Sequence, residues 1–229
     1  MDLRQQAALR ALNDVYDGMA LGLGTGKTTA YFIDALAERI RSGELKHIQA
    51  VPTSEATAAR ARQLGIPLTT LSTYPQLDLA VDGADEVDPQ LNLIKGLGRA
   101  LLREKIVETH ARELIIIVDE SKIVPCLGSR GPVPVEITPF EVEMQVRWLN
   151  TLGCRAELWL EQDGSPVVTD NGNHLARCYF PPPGIPDPYA FARTLADRPG
   201  IVEHGLFLDL ATRVIVAGQD GLRILERER

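Results

Sequence analysis

The stretch "LGLGTGKTTA", residues 21–30, puts three glycines into five positions ahead of the helix-like "AYFIDALAERI". Apolar strand, glycine turn and helix in that order open a βα unit. Such a unit suits an anion, because glycine lets backbone N–H groups face the ligand and a helix start adds the positive end of its dipole. Thr25, Thr28 and Thr29 add hydroxyls, and Lys27 adds charge. Two familiar templates each miss by one residue. A Walker A loop needs glycine where Leu21 stands, and a dinucleotide fingerprint needs its third glycine where Lys27 stands. A tight turn with N-capping threonines is the alternative. Three glycines favour the anion but do not name it.

Working outward, the rhythm of the first half is strand and helix in alternation. "MALGLG" reads as a strand, 28–41 as a helix and "HIQAVPT" as a strand. "SEATAARARQLG" reads as a helix capped by Ser54 and stopped by Gly65. "LDLAVDGAD" is a strand and turn, "GRALLREKIVETHAR" a helix, and "ELIIIVD" an apolar run typical of a strand buried on both faces. This order predicts a parallel sheet covered by helices. The texture changes near "GSRGPVPVEI". Strand 133–137, helix 139–151, strand 154–160, strand 166–179 (broken near Asn171-Gly172), helix 188–197 and strand 201–208 follow the split βαβ order of ferredoxin-like domains. "TRVIVAG", a "QDG" turn and "LRIL" then return to the first sheet, and "ERER" reads as a solvated end. The expected division is 1–128 with 208–229, and an inserted 129–207.

Composition narrows the function classes. A net charge of −7, with no basic arm or stripe, argues against nucleic acid as a partner. Cys126, Cys154 and Cys178 are odd in number and lack C-x-x-C spacing, which argues against a disulfide framework or thiolate zinc site and fits a reducing, cytoplasmic setting. The start "MDLRQQAALRALNDVYDG" reads as an amphipathic helix rather than a signal peptide. No apolar run reaches the roughly 18 residues a membrane span needs. His47, His110, His174 and His204 are scattered without ligand spacing.

The densest chemistry lies in "LDLAVDGADEVDPQLNLIKGLGRALLREK", residues 77–105. Asp82, Asp85, Glu86 and Asp88 crowd the turn where a strand ends, the place where open α/β sheets bind ligands. Lys95 opens a second glycine turn, and Glu104 points away from Leu102 and Ile106 on the helix that follows. The acids admit three readings. One is a solvated capping turn. Another is a metal site, although the EF-hand version fails because Val87 and Leu93 occupy its sixth and twelfth positions. The third is acid–base catalysis, with carboxylates moving protons and a lysine meeting negative charge on oxygen.

The chain resembles the type A ribose-5-phosphate isomerase family along nearly its whole length. "GLGTGKTTAYFIDAL", "VDGADEVDPQLNLIKGLGRALLREKIVE", "DESKIVPCLG", "PVPVEITPF", "TDNGN" and "PGIVEHGLF" occur in the family's order. The resemblance implies a Rossmann-like parallel-sheet domain plus a smaller α+β domain, commonly in a homodimer or homotetramer. It implies interconversion of D-ribose 5-phosphate and D-ribulose 5-phosphate through an enediolate, in the pentose phosphate pathway, with no metal and no organic cofactor. It puts the general base on Glu104 and substrate binding on Thr25-Gly26-Lys27-Thr28, Asp82-Gly83-Ala84-Asp85, Lys95-Gly96-Leu97-Gly98 and Lys122. In the chemistry these types suit, Lys95 meets the enolate oxygen while Asp82 and Asp85 assist ring opening. A non-catalytic sugar-phosphate sensor is the alternative. Two departures stand out: Lys27 replaces the usual serine, and "KGLGRA" replaces "KGGGGA", so leucine at 97 is strained if that position needs positive φ. Arg4 is a weaker candidate phosphate contact. The base is expected to have a carboxylate pKa raised by partial burial.

Overall fold

The computed structural model describes residues 2–227. The chain runs α1 (Leu3–Leu12), β1 (Ala20–Leu23), α2 (Lys27–Arg41), β2 (Gln49–Pro52), α3 (Glu55–Leu64), β3 (Leu77–Asp82), β4 (Glu86–Val87), β5 (Leu93–Ile94), α4 (Leu101–Thr109) and β6 (Ala111–Asp119). After a 3-10 turn at Glu120–Lys122 come β7 (Val133–Ile137), α5 (Val142–Leu149), β8 (Arg155–Leu158), β9 (His174–Tyr179), α6 (Pro188–Ala196), β10 (Ile201–His204), β11 (Leu206–Phe207), β12 (Arg213–Gly218) and β13 (Gly221–Glu226). Two compact units result. One holds residues up to Ala84, Arg103–Lys122 and those from Asp209; the other holds Asp85–Leu102 and Ile123–Leu208.

The first unit is a six-stranded sheet in the order β13-β12-β6-β3-β1-β2. Every pair is parallel except the edge hairpin β12–β13. β1 takes β2 on one side and β3 on the other, so the strand order reverses there, and at such a point the carboxyl ends of the strands leave a crevice. Leu21, Leu23, Leu79, Val81, Ile115, Ile117 and Ile215 share a core with Ala8, Leu12, Phe32, Ile33 and Leu36 of α1 and α2. Ser54 caps α3 by accepting the Thr57 N–H, and Gly65 ends it in the left-handed conformation, as the sequence predicts.

The second unit carries an antiparallel sheet in the order β10-β7-β9-β8, the ferredoxin-like order, with α5 and α6 packed in its core through Leu149, Phe191 and Leu195. Asp187 caps α6 and Pro188 occupies its first turn. A second small sheet, β11-β5-β4, belongs to the same unit.

Several boundaries move. The helix expected over 98–112 is confined to Leu101–Thr109, since Ala111 already pairs with Leu77 in the sheet. The helix expected over 139–151 spans Val142–Leu149. Strand 166–179 reduces to His174–Tyr179, with only isolated bridges before it. Strand 201–208 breaks at Gly205, whose missing Cβ would fall on the Lys95 carbonyl. Residues 85–102 and 123–128, grouped by sequence with the first unit, cluster with the second: β4 and β5 pair with each other and with β11, Ile123 bridges Val87, and the Gly128 N–H donates to Glu86. The final two residues of "ERER" lie outside the described residues.

Candidate active site

In the first unit the glycine turn and the first acid meet. Gly24 follows β1 with its N–H on the Val81 carbonyl, so closely laid against β3 that a Cβ would fall inside the Asp82 carboxylate. Asp82, only 1% exposed, accepts on Oδ1 from the Thr25 N–H (3.1 Å), the Thr29 hydroxyl (3.1 Å) and the Gly83 N–H (2.7 Å). The Thr25 hydroxyl donates to Ser54 (2.8 Å) and lies 2.7 Å from Thr53 Oγ1 and 3.1 Å from Thr57 Oγ1. Thr57 in turn donates to the Gly24 carbonyl. The turn is thus fixed from both neighbouring strands.

Gly26 is the N-cap of α2 at φ 138°, a conformation open to glycine, and it supplies no side-chain cap. The threonines therefore do not cap the helix in the ordinary way. Their absence from that role leaves the amino end of a 15-residue helix presenting its N–H groups beside exposed Lys27 and half-buried Thr28. Such an end binds an anion.

Glu104 lies on α4 and is 2% exposed, whereas Ile106 is 45% exposed. The helix buries Leu101, Glu104, Val107 and Glu108 and turns an apolar side chain outward. Half-buried Lys122 ends the 3-10 turn after β6, where Asp119 accepts from the N–H and hydroxyl of Ser121. Arg4 reaches the other Asp119 oxygen at 3.9 Å, an ion pair that gives this side chain a local partner.

In the second unit the remaining acids each hold a piece of backbone. Half-buried Asp85 accepts the Leu97 N–H (3.0 Å) and so ties the acidic turn to the lysine turn. Glu86 accepts from the N–H groups of Gly128, Arg130 and Gly131 at 2.6–2.9 Å. Asp88 holds Gln90 and Asn92. The solvated-cluster reading fails, since Asp82, Glu86 and Asp88 are buried and individually committed. Lys95 is 2% exposed with Nζ 5.4 Å from the centroid of the Phe207 ring, and its N–H donates to the Gly205 carbonyl. Gly83, Ala84, Gly96, Leu97 and Gly98 complete the two turns; Leu97 and Gly98 are exposed.

The family profile described as ribose 5-phosphate isomerase A (phosphoriboisomerase A) matches residues 49–221. The chain belongs to the ribose 5-phosphate isomerase A family. A ribose-5-phosphate isomerase A of Roseiflexus castenholzii is 49% identical over 97% of this chain and 94% of its own length. A probable chloroplastic ribose-5-phosphate isomerase of Arabidopsis thaliana is 46% identical over 99% of this chain and 83% of its own. Among solved structures, a D-ribose-5-phosphate isomerase in complex with phospho-erythronic acid superposes with TM-score 0.95 at 42% identity, covering 99% of this chain and all of that one. The enzyme of Methanocaldococcus jannaschii gives 0.93 at 40%, covering 98% of each chain.

Within this ribose 5-phosphate isomerase A member, position 97 does not need positive φ, so leucine there is not strained. The left-handed residues of "KGLGRA" are Gly96 (φ 106°) and Arg99 (φ 67°), while Leu97 is not among them. Thr29 is read from sequence as a hydroxyl of the anion turn, not as a partner of Asp82, and Thr53, Thr57 and Gly205 are not read as site residues at all. Each acts through a partner remote in the chain, and only the glycine and threonine excess around 24–29 and 53–57 hinted at three of them. His204 is buried, its Nδ1 accepting the Leu206 N–H, a structural placement.

Proposed function

We propose that this chain interconverts D-ribose 5-phosphate and D-ribulose 5-phosphate by proton transfer through an enediolate, using protein side chains alone. A proton beside a carbonyl is weakly acidic, so the reaction needs a base at C2 and positive charge or donors at the developing oxyanion. In this reading Glu104 takes the proton from C2 of the opened aldose and returns it to C1. Lys95 meets the negative oxygen. Asp82 and Asp85 open the sugar ring and carry protons between O1 and O2. The Thr25–Thr28 turn, with Lys27 and the open end of α2, holds the phosphate, and Lys122, Gly83, Ala84, Gly96, Leu97 and Gly98 complete the substrate contacts. The observation that carries this reading is Glu104: a carboxylate buried on a helix that exposes isoleucine, in a chain of this family.

The reaction belongs to the non-oxidative branch of the pentose phosphate pathway, and we assign the enzyme to the cytoplasm as a homodimer or homotetramer. The absence of any metal requirement is part of the proposal. Purified protein in excess EDTA should form ribulose 5-phosphate, and Glu104→Gln should lower kcat by about a hundredfold to ten-thousandfold, in line with loss of a general base. Turnover surviving in the variant would remove Glu104 as the base. Binding without turnover in the parent would favour the sensor.

A further inference from the structure

Arg99 carries a left-handed backbone conformation, φ 67°, which is uncommon and costly for a residue with a Cβ. Contacts of its side chain brace it there. Its guanidinium forks onto the Glu161 carboxylate, Nη1 to Oε1 at 2.5 Å and Nη2 to Oε2 at 3.1 Å. Its Cζ also lies 5.2 Å from the centroid of the Trp159 ring. Trp159 is not a loose partner. Arg177 lies 5.2 Å from the same ring and binds Glu157, which Arg155 also binds. Partial burial pushes the Glu157 carboxyl up, but the Arg155 hydrogen bond and the Arg177 and Arg155 charges outweigh it and hold the group below its ordinary value. Glu161 itself sits at a turn closed by its own N–H on the Ser165 carbonyl.

The other end of this arrangement is the lysine turn. The Arg99 N–H closes it onto the Gly96 carbonyl, the Leu97 N–H is on Asp85, and the Lys95 N–H is on Gly205. We propose that Arg99 is a positioning residue: clamped by Glu161 and Trp159, it presets the 95–98 turn in the conformation that receives the sugar, so that less ordering is left for the substrate to supply. The assignment of that turn to the sugar rests on the isomerase reading above. An isolated ion pair this exposed contributes little by itself. Here the two-pronged geometry and the ring contact act on a left-handed backbone, and what they hold is the shape of the turn.

The test is Glu161→Gln, a surface change outside the reacting groups, measured twice. Backbone amide exchange at Leu97 and Arg99 of the free protein should quicken about fivefold. KM for ribose 5-phosphate should rise about fivefold with kcat within about twofold of the parent, the signature of lost uniform binding; at ~1.4 kcal/mol per tenfold this is ~1 kcal/mol. Arg99→Gly, which accepts the φ but lacks the fork, should reproduce both effects. Unchanged exchange overturns the clamp. Quicker exchange with an unchanged KM overturns its role in substrate binding. A parent that binds but does not turn over the sugar sinks the isomerase reading, and the ratio of ribose 5-phosphate Kd between parent and Glu161→Gln then decides the clamp by the same fivefold criterion.

Discussion

Gly24 has no room for a methyl group, and the atom it would displace is the Asp82 carboxylate. This converts a glycine into a statement about catalysis. Gly24→Ala must push Asp82 off the Thr25 and Thr29 donors, at a cost of about 1–3 kcal/mol in stability as for other overpacked sites. Because a displacement of about 1 Å can cost about a hundredfold in rate, kcat/KM is expected to fall by that order in a variant that still folds. A folded Gly24→Ala within a few-fold of the parent would mean that Asp82 is not needed where it stands. At this scale the residue types were legible: carboxylates, a lysine and glycines announce themselves. Their partners were not. Thr29 reaches Asp82 across 53 positions, and nothing local in "GTGKTT" encodes that. The condition for strain at Leu97 is not met and Arg99 takes the left-handed conformation instead, because composition does not fix which residue of a turn enters that region.

Among the elements, α4 departs most from ordinary patterning. Its buried face, Leu101, Glu104, Val107 and Glu108, follows helical spacing but includes two carboxylates, while Ile106 points outward. Burying a carboxylate costs several kcal/mol before compensation, so packing alone does not select this face, and such local violations gather at functional sites. The helical spacing puts Glu104 away from Leu102 and Ile106; it does not reveal that Glu104 is buried while Ile106 is exposed and Leu102 half-buried. α3 obeys the rules and shows how a cap serves the site. Ser54 accepts the Thr57 N–H and the Thr25 hydroxyl together. Ser54→Ala should cost ~1 kcal/mol and lower Tm by about 2–4 °C for a chain of this size. It should also raise KM, since the Thr25 hydroxyl loses its Ser54 partner. An unaltered melting curve would show that the cap is energetically idle. Long periodic elements such as α2 and β6 were legible to within a residue or two. The two-residue strands β4 and β5 were not, since they exist only through pairing with each other and with β11, far away in sequence.

At the scale of the whole molecule, the chain passes between its two units at Ala84–Asp85, Leu102–Arg103, Lys122–Ile123 and Leu208–Asp209. Three of these four crossings fall at or within two residues of Asp82, Asp85, Glu104 and Lys122. The change of texture near residue 129 and the ferredoxin order beyond it were legible, because strands and helices there have ordinary lengths; the excursion 85–102 was hidden by the shortness of its strands. A ligand's effect on global stability tests the proposed chemistry without requiring turnover. The protein is net negative at −7, so a sugar phosphate must be held by local donors rather than by overall attraction. Phospho-erythronic acid, present in a solved relative, is the probe. A ligand that binds only the folded state at a hundred times its Kd adds ~2.7 kcal/mol, which corresponds to a rise in Tm of about 5–10 °C. Glu104→Gln should keep most of that rise, because the proposed phosphate contacts are intact. Lys27→Ala should lose about half of it at the same concentration, as a tenfold weaker Kd removes ~1.4 kcal/mol. A full shift in Lys27→Ala would put that lysine outside the phosphate site and leave the open end of α2 to hold the anion with its threonines. No shift in the parent, at millimolar probe, would count against a sugar-phosphate site altogether.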